Sequence, residues 1–155
     1  MTTVPTATQL LDSGQAYPIV DTRTLQGAKK ALGGAYPASC LYMSTSYVKS
    51  HQQSVQKLVN AYVKTMHWIH THSAKQIANK MPSEYYKGSG KKEYIHALAS
   101  EKGIYTPDGM MPKGGPETVK RVLSAFDPNV KGHDIDLSKS YTTKFVKKAK
   151  QKYGD

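Results

Sequence analysis

Asp21-Thr22-Arg23-Thr24 sets a carboxylate, a guanidinium and two hydroxyls side by side near the start of this 155-residue chain. The planar fork of Arg23 suits a bidentate grip on an oxyanion, and the hydroxyls of Thr22 and Thr24 can donate to the same group. Thr2 and Thr3 precede Pro5 at the start of a short helical pattern. A helix N-terminus is also suited to an anion. The same residues fit plainer roles. Asp21 stabilises a turn, Arg23 is its exposed partner, and Thr2 and Thr3 cap a helix.

Other constellations carry less. Of the six histidines, His67 and His70 share a helix face while His72 lies off it. No carboxylate falls nearby and HExxH spacing is absent, so packing or surface histidines are expected rather than a metal site. The lone cysteine, Cys40, lies in the apolar run SCLYM. It cannot form an intrachain disulfide and reads as a buried, inert thiol. There is no GxSxG elbow, no P-loop and no GxGxxG after a strand. No catalytic residue, metal or cofactor is expected, and the chain is not read as an enzyme.

The elements that would position these residues are mostly helical. A short helix spans about 5–13 and stops at Gly14. Tyr17–Val20 reads as a strand that ends in the Asp21–Thr24 run, and Tyr36–Met43 as a second, with Gly27, Gly33 and Gly34 marking a loop between them. Residues 52–71 form the strongest helix. Val55, Leu58, Val59, Tyr62, Val63, Met66 and Ile69 repeat at three and four along one face. Ser73 caps a helix that runs to about Lys80 and stops before Pro82. Lys91–Glu101 follows, with Tyr94, Ile95 and Leu98 inward. Glu117–Ala125 carries Val119, Val122, Leu123 and Phe126 on its stripe. Ser140 to about Lys152 closes the chain, with Phe145, Val146 and Ala149 inward. In open α/β sheets ligands bind beyond the carboxyl ends of strands, which is where Asp21–Thr24 falls.

The formal net charge is +11 and the hydrophobic fraction 38%. That fraction suits a folded chain, and the charge admits nucleic acid or an anionic surface. The lysines are spread out, however, and those near the end, Lys144, Lys147, Lys148, Lys150 and Lys152, complement the negative pole of a helix. Eleven tyrosines among lysines suit base stacking. Yet Tyr62, Tyr94 and Tyr141 fall in apolar faces or element starts, and no nucleic-acid motif is present. A small basic nucleic-acid-binding helical protein is therefore the alternative reading. No run approaches the length of a membrane span, and the first sixteen residues lack the pattern of a signal peptide.

The order of segments is a larger-scale signal. A strand ends in DTRT; YPASCLYM leads into a long helix ending WIHTHS; then come YYKG, YTPDGMMP and IDLSKSYTTKFVKKA. This order resembles the C-terminal half of the periplasmic substrate-binding proteins of the nitrate/sulfonate/taurine class of ABC transporters, a class related to thiamine-pyrimidine-precursor binding proteins. The resemblance implies an α/β chain: the C-terminal part of a type II periplasmic-binding-protein fold, helix-rich with few strands. Residues 1–40 would finish lobe two and include a crossover strand. Residues 45–155 would return to lobe one, and the N-terminal half of the family fold would be absent. The implied function is capture of a small anionic or polar organic solute for an ABC permease, in the periplasm for a full-length member. Thr2, Thr3, Asp21, Thr22, Arg23 and Thr24 would face the cleft, with Tyr36 and Ser39 near the hinge. The enzyme-like thiamine branch uses a Cys-rich motif, and the single Cys40 argues against it. A half-fold exposes faces its partner lobe should cover, so self-association is expected.

Overall fold

The spine of the molecule is a twenty-residue helix with apolar side chains on two faces. In this computed structural model, residues 6–153 are described. The long helix is the fourth of eight: α1 (Thr6–Asp12), α2 (Leu25–Leu32), α3 (Thr45–Ser50), α4 (Gln52–Thr71), α5 (Ala74–Ala78), α6 (Lys91–Glu101), α7 (Gly115–Ser124) and α8 (Lys144–Tyr153). Short 3-10 turns lie at Ser83–Tyr85, Lys102–Ile104 and Leu137–Lys139.

One face of α4 is covered by α8. Val55 and Val63 are buried, Val63 with only 1% of its surface exposed. Opposite them, Phe145 and Ala149 of α8 are buried as well. Polar ties fix the pairing. The Gln56 side-chain amide donates to the Phe145 carbonyl at 2.9 Å, and Lys144 donates to Gln52 at 3.1 Å. Lys150 of α8 meets Asp108 in the loop before α7. A second unit forms where α5 packs on α6 through Ala74, Ile77, Ala78 and Ala97. Ser73 and Gln76 make a reciprocal capping box at the start of α5, which satisfies amides that the first turn leaves free. The other side of α4, carrying Leu58, Tyr62, Met66 and Ile69, borders a groove rather than a covering element.

Among the described residues there is no strand and no sheet, so the expected α/β class is overturned. Tyr17–Val20 and Tyr36–Met43 have strand-like composition but no ladder. Residues 17–20 and 34–43 make no backbone hydrogen bond to the other described residues. A strand exists only through its neighbour's hydrogen bonds, and these residues supply no neighbour. Cys40 is exposed in the second of these segments, not buried.

The expected glycine loop is the helix α2. Thr24 caps it, accepting from the Gly27 amide at 3.0 Å, and Gly33 closes it in the left-handed region at φ 75°. Gly27 sits inside the helix because a Cβ there would collide with the Asp21 carbonyl. The following segment is pinned to α7. Arg121 donates to the Leu32 carbonyl at 2.6 Å, Gly34 lies against the Thr118 hydroxyl, and Pro37 rests on Gly115. The helix Thr45–Ser50 was not anticipated, and α8 begins at Lys144, later than expected. Phe126 falls beyond α7 and is exposed. No helix of the described residues is long and apolar enough to cross a membrane.

Two substitutions test this packing in chemical denaturation. Val63→Ala removes two buried methyl groups between α4 and α8 and should cost about 2 kcal/mol. Gly34→Ala forces a methyl onto Thr118 and should cost about 1–3 kcal/mol. Values within experimental error of wild type would mean that these contacts do not hold the elements together.

Candidate functional site

The run Asp21–Thr24 lies in the short link that leads into α2. Two of its members are bound to each other. Arg23 Nε donates to Asp21 Oδ1 at 3.0 Å and Arg23 Nη2 to Oδ2 at 2.7 Å. The Arg23 amide adds a third hydrogen bond to Oδ1 at 3.0 Å. The carboxylate therefore closes a turn and receives the guanidinium fork in the same geometry. Arg23 spends two of its five N–H donors this way, leaving the rest of the fork free. Thr24 is committed as the α2 cap, while Thr22 is exposed and makes no side-chain hydrogen bond to the described residues.

Acidic groups surround the arginine. Asp12 at the end of α1 and Glu101 at the end of α6 both lie within its field. Asp12 also meets His96 of α6 at 3.1 Å, tying the two helices together beside the turn. Glu101 is half-buried, and its Oε1 is shielded from water without a hydrogen-bond partner. Burial raises the Glu101 carboxyl above its ordinary range, opposed by Arg23 and aided by Asp21. Asp21 moves the other way. The Arg23 side chain, then the Arg23 amide, hold it at about 2, below its ordinary 3.8. One guanidinium among three carboxyls makes this corner acidic even though the chain as a whole is basic.

The remaining expected site residues do not gather here. Tyr36 is half-buried next to Pro37, and Ser39 is exposed in the extended segment that follows. Thr2 and Thr3 lie outside the described residues. None of Asp21, Thr22, Arg23, Thr24, Tyr36 and Ser39 lines either of two apolar concavities that the fold forms elsewhere.

The larger concavity was not anticipated. It is a groove of about 400 Å³ along the uncovered side of α4, walled by Leu58, Tyr62, Met66, Ile77, Tyr94 and Tyr105. The signal for it was present in the sequence. The α4 stripe is too wide for one neighbour: Val55 and Val63 face α8, while Leu58 and Tyr62 remain 39% and 46% exposed. The groove is nearly all apolar. Lys102, at its end, already donates to the His72 carbonyl at 2.8 Å. Small-molecule sites need convergent polar groups to orient a ligand, and this groove supplies few. A second concavity of about 210 Å³ lies between Pro37, Val119, Leu123 and Tyr141.

Two histidines of the α4 C-terminal end are held by contacts within the fold. His72 stacks on Trp68 at 4.4 Å, and His70 Nε2 lies 2.6 Å from the Tyr105 carbonyl oxygen. No three metal-ligating side chains converge among the described residues.

No family model matches the sequence, and no curated protein matches it. Among solved structures, a protein from Bordetella bronchiseptica RB50 is similar at 34% identity and a TM-score of 0.90. That likeness covers 99% of this chain and 48% of the Bordetella chain. The present chain thus spans about half the length of the protein it resembles.

The Asp21–Arg23 pair predicts a pH signature. A folded-state value below the unfolded one makes the unfolded chain take up more protons as pH falls, so stability drops with acid. The contribution is fully present above the ordinary 3.8 and is lost as pH falls toward about 2. Asp21→Asn should flatten the stability-versus-pH curve across that window in urea titrations. The effect should be modest, because the pair is about one-third exposed. An unchanged slope would show that the pair is not formed in solution.

Proposed function

We propose that the chain is a non-catalytic solute-binding module, contributing one side of a site for a small polar organic solute that is passed to an ABC permease. The observation that carries this reading is the turn Asp21–Thr24, where Arg23 keeps part of its fork free beside the exposed Thr22 hydroxyl. The likeness over 99% of the chain to 48% of a larger protein supports only a unit larger than these residues. The reading requires no sheet within the chain. It draws further support from the side-by-side charged and hydroxyl side chains of Asp21–Thr24 at a partly exposed turn.

The charge balance narrows the solute. Asp12, Asp21 and Glu101 outnumber Arg23, so a bare anion such as nitrate meets repulsion there. A zwitterion suits both signs. Its acidic group takes the free donors of Arg23 and the Thr22 hydroxyl, and its amine sits in the field of Asp12, Asp21 and Glu101. Taurine is a simple example of this chemistry. The solute would be captured in the periplasm, with the partner side closing over it.

A second reading has one observation in its favour. The last helix presents Lys144, Lys147, Lys148, Lys150 and Lys152 at the surface, a basic stripe that would suit a nucleic-acid backbone.

Two measurements separate the readings. In amide NMR titrations, millimolar taurine should shift Thr22–Thr24 and Glu101 saturably, and nitrate should not. Arg23→Ala should abolish the response. In fluorescence anisotropy, a labelled 20-base-pair DNA should show no saturable binding at 150 mM salt. Absence of any taurine response, or DNA binding that weakens steeply with salt, would overturn the solute reading.

A further inference from the structure

Two apolar stretches of backbone lie outside any helix, with their large side chains uncovered. Residues 17–20 and 38–42 make no backbone hydrogen bond to the other described residues. Their side chains face water: Tyr17 is 84% exposed, Ile19 90% and Tyr42 88%, with Val20 and Leu41 exposed beside them. Neither stretch is a loose tail. The first is fixed by the Ala16 amide on the Leu10 carbonyl at one end, and by the Asp21–Arg23 turn at the other. The second runs from Pro37, seated on Gly115, to Ser44, the cap of α3. Anchoring at both ends keeps free amides, free carbonyls and large apolar side chains on display. Exposed backbone edges of this kind are templates for pairing with another chain.

The uncovered area is large. The chain exposes 11316 Å², whereas a compact monomer of 17.1 kDa exposes about 7,800 Å². The excess, about 3,500 Å² on this chain alone, is larger than one partner's half of an obligate interface, about 1,000–2,500 Å². The apolar groove along α4 belongs to this uncovered surface.

We infer that a second folded polypeptide lobe, different in sequence from this chain and not itself basic, docks on residues 17–20 and 38–42 and hydrogen-bonds to their backbone. Its counterpart is the part of the Bordetella chain that this chain does not match, a little over half of that protein. A second copy of the present chain is a poor occupant, because each copy brings a formal charge of +11 to the contact. The inference holds whichever solute, if any, is captured, so its failure is separable from that of the solute reading.

Hydrogen exchange tests it. In the isolated chain, the amides of Tyr17, Ile19, Val20 and 38–42 should exchange at nearly unstructured rates while those of α4 and α8 are protected (Pro18 has no amide hydrogen). The unmatched part of the Bordetella protein, fused to this chain, should slow both segments at least a hundredfold in a monomeric product. Ile19→Lys with Tyr42→Lys should lower the melting temperature of that fusion and leave that of the isolated chain unchanged. The inference is overturned by a homodimer of the isolated chain that protects the same amides. It is equally overturned by a folded fusion in which they still exchange freely, or in which the two lysines change nothing.

Discussion

A long helix with apolar residues on two faces must be covered twice, and within this chain α4 is covered once. Val55 and Val63 sit against Phe145 and Ala149, and this contact fixes the long helix against the last one. Everything else is arranged from it. The loop before α7 is held to α8 through Asp108 and Lys150, and α5 with α6 pack on each other beside α4. On its other face, Leu58 and Tyr62 look into an open groove. Burying apolar area is the main favourable term in folding, at roughly 25 cal/mol per Å². Leaving such a stripe uncovered forgoes much of that gain in a chain whose net stability is a small difference between large terms.

The same shortage explains the absence of a sheet. Helices satisfy their backbone internally, so α4 forms wherever its periodicity and caps allow. Strands borrow hydrogen bonds from neighbours. The residues of Tyr17–Val20 and Tyr36–Met43 are good strand formers, yet they pair with no neighbour among the described residues. β-propensity describes fitness for a half-buried pleated surface, not an ability to make one alone. The local preference was therefore legible in the sequence and the class was not, because the class depends on what lies alongside.

Elements governed by local physics could be read directly. The bounds 52–71 and 91–101 followed from apolar spacing, and Ser73 announced α5 through its cap. What failed did so for identifiable reasons. Gly27 looked like a loop residue because glycine weakens helices, but here it clears a carbonyl from the preceding turn. Cys40 sat in an apolar run that implied burial, and burial again required a covering element. At the candidate site, the sequence offered both roles for Asp21 and Arg23, oxyanion grip and turn with partner. The structure forms the turn and ion pair, and leaves part of the fork free. Asp12 and Glu101 were not legible as neighbours, since their approach depends on how α1 and α6 meet.

That approach reshapes the chemistry of the turn more than any residue within it. An arginine alone in a loop is an anion receptor. With its fork half-closed on Asp21, and with Asp12 and Glu101 in its field, it becomes the positive pole of a mixed site. Selectivity then arises from what the acidic groups reject as well as from what the arginine accepts. Glu101 is the sensitive member, because burial already opposes its charge and one oxygen lacks a donor. A solute amine near it would favour the ionised form. A nitrate ion would meet Asp21 and Glu101 with only the free part of the Arg23 fork to offset them. The proposed preference for a two-signed solute thus rests on the meeting of α1, the turn and α6, and not on the run Asp21–Thr24 taken by itself.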